Sequence, residues 1–140
     1  MIILASDHAG FELKEYLKKY FTKNKIDFID AGALTYDAND DYPDIIKSAV
    51  KQVLKDSNNR GIFICGFGVG VSMAANRYKG IRCALAYDTL TAQMARLHNN
   101  ANVLALGGRH ITKAMALKII KTFLTTSFEG GRHQRRIDKF

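Results

Sequence analysis

Short apolar runs alternate along the chain with longer stretches in which apolar residues recur every three or four positions. Residues 2–5, Ile-Ile-Leu-Ala, read as a buried strand, and Leu13, Leu17, Tyr20 and Phe21 then share one face at helical spacing over 11–20. Phe28-Ile29 is a short strand before a turn at Gly32. Pro43 suits a first helical turn, and Ile45, Ile46, Ala49, Val50 and Val53 carry the stripe of a second helix. Residues 62–64, 81–86 and 103–106 read as three more strands. Val71 onward, 89–97 and 114–123 read as the helices that follow them. A strand–helix unit repeated five times with short connections predicts an α/β fold, a five-stranded parallel sheet covered on both faces. Right-handed crossovers make it doubly wound. Residues 127–140 have no place in this scheme. They are too charged for a core and rich in arginine, and are expected to form an extended tail reaching across to a second subunit.

The 140 residues suit one domain, 1–140, and 47% hydrophobic content is that of a globular chain. No apolar run approaches the ~18 residues of a membrane span, and the first six residues, interrupted by Asp7, do not read as a leader. Cys65 and Cys83 form no disulfide framework, so a reducing cytoplasm is expected. The net charge of +8 invites a nucleic-acid ligand. However, Lys14, Lys18, Lys19, Lys23, Lys47, Lys51 and Lys55 read as wet helix faces, and no aromatic-rich strand of the RNA-binding kind is present. A basic nucleotide- or RNA-binding module is therefore the rival rather than the main reading. A thiol redox protein is weaker still, because no Cys-x-x-Cys pair occurs.

The chemistry concentrates after the strands, where open α/β sheets bind ligands. Asp7-His8 follows the first strand, Cys65-Gly66-Phe67-Gly68-Val69-Gly70 the third, Tyr87-Asp88 the fourth and Gly107-Gly108-Arg109 the fifth. A strand, a glycine loop and a helix start make an anion cradle, and a thiol at its mouth is placed to act as a thiolate. The loop is not the dinucleotide fingerprint, because its third glycine comes one position early and Val71 stands in the required place. A small phosphorylated or polyhydroxy ligand fits it better; the plain alternative is a tight turn. Cys83, inside a strand, reads as core. Asp7 and His8 suit proton transfer or a sugar hydroxyl, or Asp7 merely caps a helix. His98 closes a helix, where its cation is favoured, as befits a general acid; otherwise it is a polar cap. Arg132 and Arg136 lie four apart and would share a helix face against a phosphate, with Arg109 joining them, unless the tail is simply solvated. No His/Cys set has zinc spacing, and Asp37, Asp40, Asp41 and Asp44 read as a polar loop.

Taken jointly, Ser6-Asp7-His8-Ala9-Gly10, Asp41-Tyr42-Pro43, Cys65-Gly66-x-Gly68-Val69-Gly70, Ala74-Ala75-Asn76, Gly80-Ile81-Arg82-Cys83-Ala84, His98-Asn99, Asn102 through Arg109 and Phe128-Glu129-Gly130-Gly131-Arg132-His133 carry a resemblance over essentially the whole chain. It resembles the type B ribose-5-phosphate isomerases, with allose-6-phosphate isomerases and galactose-6-phosphate isomerase subunits as relatives. The resemblance implies a Rossmann-like three-layer α/β/α sandwich. It implies a homodimer, sometimes paired into a tetramer, with active sites built from both subunits. It implies interconversion of D-ribose 5-phosphate and D-ribulose 5-phosphate, with neither nucleic acid nor membrane as partner. By analogy Cys65 is the proton acceptor at C2, His98 the donor that opens the furanose ring, and Asp7 its helper. The backbone of Gly66, Phe67, Gly68, Val69 and Gly70, with Asn99, would hold the enediolate oxygens. His8, Arg132 and Arg136 resemble the phosphate binders, with Arg109 nearby and Tyr42 completing the substrate-binding set. No metal or organic cofactor is expected. One residue departs from the pattern: family members with this cysteine generally carry Ser or Thr where Phe67 stands, which bears on substrate fit and keeps a six-carbon sugar phosphate as the alternative.

Overall fold

The structure, a computed structural model, describes residues 1–140. Strand β1 (Ile2–Ser6) lies between β2 (Phe28–Asp30) and β3 (Arg60–Cys65). Strand β5 (Val103–Gly107) pairs with the other side of β3, and β4 (Cys83–Leu85) forms the far edge. All four pairings are parallel, with Ala5 beside Phe63 and Cys65 beside Gly107. The connections β1 to β2 and β4 to β5 run one way across the sheet. Those from β2 to β3 and β3 to β4 run the other way. Right-handed crossovers therefore place α1 (Phe11–Lys23) and α4 (Thr89–Asn99) on one face, and α2 (Tyr42–Val53) and α3 (Val69–Ala75) on the other. Helix α5 (Lys113–Thr125) joins α1 and α4.

Side-chain alternation divides the core in two. Leu4, Ile62, Ile64, Leu104 and Leu106 meet Leu17, Phe21, Ile119 and Phe123 on one face. Ile3, Phe63, Cys65, Val103 and Ala105 meet Ile46, Val50 and Val71 on the other. Strands buried on both faces need no polar positions, which is why they are continuous apolar runs in the sequence.

Three expectations are corrected. The strand expected over 81–86 is only Cys83–Leu85. As an edge it has one partner, and Arg82 before it is turned away, its amide bonded to Asn102 Oδ1 and its guanidinium to the carbonyls of Asn99 and Asn100. Residues 127–140 are not wholly extended, for they contain α6 (Arg132–Ile137), which packs on α4 of the same chain with His133 buried. Lys14 is not on a wet face. It is fully buried, its Nζ donating to Asp30 Oδ1 and to the Ala33 carbonyl, each at 2.6 Å. No helix is long and apolar enough to cross a membrane.

Candidate active site

The chain leaves β1 toward one side of the sheet and β3 toward the other, so a crevice opens between their carboxyl ends. Cys65, the last residue of β3, is its floor. The loop after it turns sharply: Gly68 has φ +78°, and a Cβ there would stand 2.5 Å from Leu85 Cδ1. The turn brings the Gly68 amide back over the thiol, and its N–H donates to Cys65 Sγ at 3.2 Å. The first amides of α3 follow directly and have no partners within their own helix. Tyr42, at the start of α2, closes this side, its ring within 3 Å of where a Gly70 Cβ would be. Only glycine at 70 lets that ring lie on the loop.

The other wall comes from β1 and β5. Asp7, nearly buried, accepts the Gly10 amide at 3.0 Å, and desolvation holds its carboxyl above the usual range. It thus caps the turn before α1 and remains a candidate base. His8 donates its amide to Asp40 Oδ1 at 2.9 Å, and its Nδ1 lies 2.7 Å from the same oxygen. That bond raises the imidazole pKa, against desolvation and a smaller opposing push from Arg109. The loop after β5 docks on the glycine loop through Gly108 N–H to the Cys65 carbonyl and Arg109 N–H to the Gly66 carbonyl. The Arg109 side chain runs alongside Gly66. Phe67 is 57% exposed at the rim, 6.2 Å from the His110 ring, and its carbonyl accepts from Tyr87 Oη. The structure thus gathers Asp7, His8, Tyr42, Cys65, residues 66–70 and Arg109 in one crevice.

His98, Asn99, Arg132 and Arg136 are elsewhere. Helix α4 leaves the carboxyl end of β4 and runs back along the sheet, so its last turn, with His98 and Asn99, sits at the amino end of β5. There the His98 ring stacks on that of His133, centroids 4.2 Å apart at 11°. Arg132 and Arg136 share helix α6 with His133, and their charges reach its ring. Within one chain these four residues cannot meet Cys65 across the length of the sheet.

His98, Glu129 and His133 place their ligand-type atoms within 4.8 Å of one another. The rings are nearly parallel, so their nitrogens point side by side rather than converge on one ion. Sequence reading missed the part played by Asp40, whose pairing with His8 spans 32 positions. Glu129 and His133 stand in the motif that carries the resemblance, but their contact with His98, 31 and 35 positions earlier, has no local sequence signal.

A parallel α/β sheet with a thiol under backbone donors and an acid–imidazole pair at its carboxyl edge defines an enzyme of the proton-transferring, isomerase class. The chain belongs to the Ribose/Galactose Isomerase family, which it matches over residues 2–140. It is 48% identical over 139 residues to the probable ribose-5-phosphate isomerase B of Mycoplasma genitalium, covering 99% of this chain and 91% of that one. A crystal structure of a ribose 5-phosphate isomerase from Thermotoga maritima superposes with a TM-score of 0.94 at 49% identity, covering 99% and 94% of the two chains. The Mycoplasma genitalium enzyme with bound ribulose-5-phosphate gives 0.93 at 48% identity, covering 99% and 91%.

Proposed function

We propose that residues 1–140 act as one sugar-phosphate isomerase domain that interconverts D-ribose 5-phosphate and D-ribulose 5-phosphate through a cis-enediolate. The observation that carries the reading is the Gly68 amide aimed at Cys65 Sγ at the head of the glycine loop, in a chain nearly half identical to a relative holding ribulose-5-phosphate.

His98 gives a proton to the ring oxygen as the C1–O bond breaks, and Asp7 takes the proton of the C1 hydroxyl, leaving the open aldehyde. The Cys65 thiolate then removes the C2 hydrogen, and the electron pair moves onto O1. Sulfur returns that proton to C1 while the O2 proton passes to O1, which completes the ketose. Charge builds on O1 and O2, where the amides of 66–70 and the Asn99 side chain stand ready; loss of one such donor costs about 3 kcal/mol of barrier. His8, whose cation the Asp40 carboxylate favours, binds the phosphate with Arg109, Arg132 and Arg136, and Tyr42 confines the sugar. Remote phosphate binding positions the reacting carbons rather than doing chemistry.

His98, Asn99, Arg132 and Arg136 come from a second copy of the chain, so the active unit is a homodimer with two shared sites. The two free thiols suit a reducing cytoplasm. A coupled assay comparing ribose 5-phosphate with allose and galactose 6-phosphates tests the assignment. Preferred turnover of ribose 5-phosphate supports it; preferred turnover of a six-carbon substrate overturns it.

A further inference from the structure

Beside the end of α4 lie two polar side chains, Glu129 and His133, that the reaction scheme leaves unused. Glu129 lies in the connection between α5 and α6, and its amide donates to the Leu97 carbonyl at 3.1 Å, which pins it beside the last turn of α4. From there its carboxylate spans two imidazoles. Oε2 is 3.9 Å from His98 Nε2, and Oε1 is 3.8 Å from His133 Nε2. His133 is 4% exposed, and its Nε2 is buried with no hydrogen-bond partner. Burial first, then His98, Arg132 and Arg136, lower the His133 pKa against the opposite pull of Glu129, and its ring lies as a flat platform under His98. The other charged groups around this corner are Arg82 and Arg96, which bind the carbonyls of residues 99–101, and Arg132 and Arg136 on α6. All are cationic. Glu129 is the one acid acting on the stacked pair.

We propose that Glu129 is the positioning residue for His98: its carboxylate faces Nε2, orients the ring and supports the imidazolium, whose Nδ1–H is the proton given to the sugar ring oxygen, with His133 as the stacked platform. A carboxylate behind an imidazole performs this service in other enzymes by setting the tautomer and supporting the imidazolium. The inference rests on the reading of His98 as the ring-opening donor.

Ribulose 5-phosphate cannot close a furanose ring, because its 5-oxygen is esterified. Exchange of its C1 proton with solvent therefore needs Cys65 and the glycine loop but not ring opening. Glu129→Gln keeps the side chain's size and the amide bond to Leu97. Its turnover of ribose 5-phosphate is expected to fall on the order of tenfold or more, while C1 exchange on ribulose 5-phosphate stays within about twofold. Unchanged turnover, or equal losses in both assays, overturns the proposal. His98→Asn run in parallel separates the two levels. If that variant turns over ribose 5-phosphate normally, the ring-opening role of His98 is what fails. If it is impaired while Glu129→Gln is not, only the inference fails.

Discussion

The amide of Gly68 reaches back over three residues to donate to the sulfur of Cys65, and this contact exists only because position 68 adopts a left-handed backbone. Gly68→Ala would strain that conformation and drive a methyl into Leu85 and the Leu106 backbone. The expected cost is about 2 kcal/mol or more of stability, read by denaturant unfolding, together with a loss of turnover. Cys65→Ala fills no space and breaks no fold contact of comparable size. It is expected to lower kcat at least a thousandfold, roughly the scale of removing a catalytic base, while substrate binding by calorimetry stays within a few-fold. Substantial turnover in Cys65→Ala would end the assignment of the base.

Mixing separates a shared site from a self-contained one. Cys65→Ala and the double variant Arg132→Ala/Arg136→Ala damage opposite ends of the sheet, and each is expected to be nearly inactive alone. After exchange of subunits, half of the dimers are mixed and each carries one intact site, so about a quarter of full activity should return. No recovery after verified exchange would mean that each chain works by itself.

Asp7 and His8 are shifted in the same direction for different reasons, and the consequences differ. Burial raises the Asp7 carboxyl pKa, so the ionised form is a burden on the folded state above that pKa. Asp7→Asn keeps an acceptor for the Gly10 amide and removes the burden. It is expected to raise Tm by roughly 2 °C at neutral pH while reducing turnover of the cyclic substrate.

The Asp40 hydrogen bond raises the His8 pKa. A raised folded-state pKa means that the charged-pair stabilisation is fully present below the unfolded value near 6.5 and is lost as pH climbs through the folded value. Phosphate affinity follows the same cation, so KM should rise across that window. In Asp40→Asn the rise should begin at lower pH. A KM profile identical in both proteins would remove His8 from phosphate binding.

Arg96 is almost buried without an acid partner. It donates to Asn100 Oδ1 and to the carbonyls of Ala101 and Thr126, and lies over the Phe123 ring. It ties the end of α4 to the start of β5 and to the exit of α5. Arg96→Ala would leave those acceptors unsatisfied in a closed space. A loss of roughly 3 kcal/mol is expected in denaturant melts.

The sheet was legible because strands buried on both faces permit nothing but apolar residues, and the helices because each has one dry stripe. What escaped notice was charge in unusual places. Lys14 and Arg96 look like surface residues until Asp30 and a set of bare carbonyls are seen to receive them. Helix α6 has a single buried anchor, His133, too little to register as a pattern. The Cys65 crevice could be read because glycines, thiol and acid are contiguous or follow strand ends. Asp40 could not, since nothing local to it signals His8. The remoteness of His98 was in principle available: a residue that closes a helix after a strand must lie at the other end of the sheet.

That remoteness has a consequence for dose. Under the proposed arrangement a solitary chain carries two mismatched halves and no whole catalyst, so the rate per chain should collapse on dilution through the pairing equilibrium. Below that point output scales with the square of the amount made, and a cell that halves its supply keeps only a quarter of the flux.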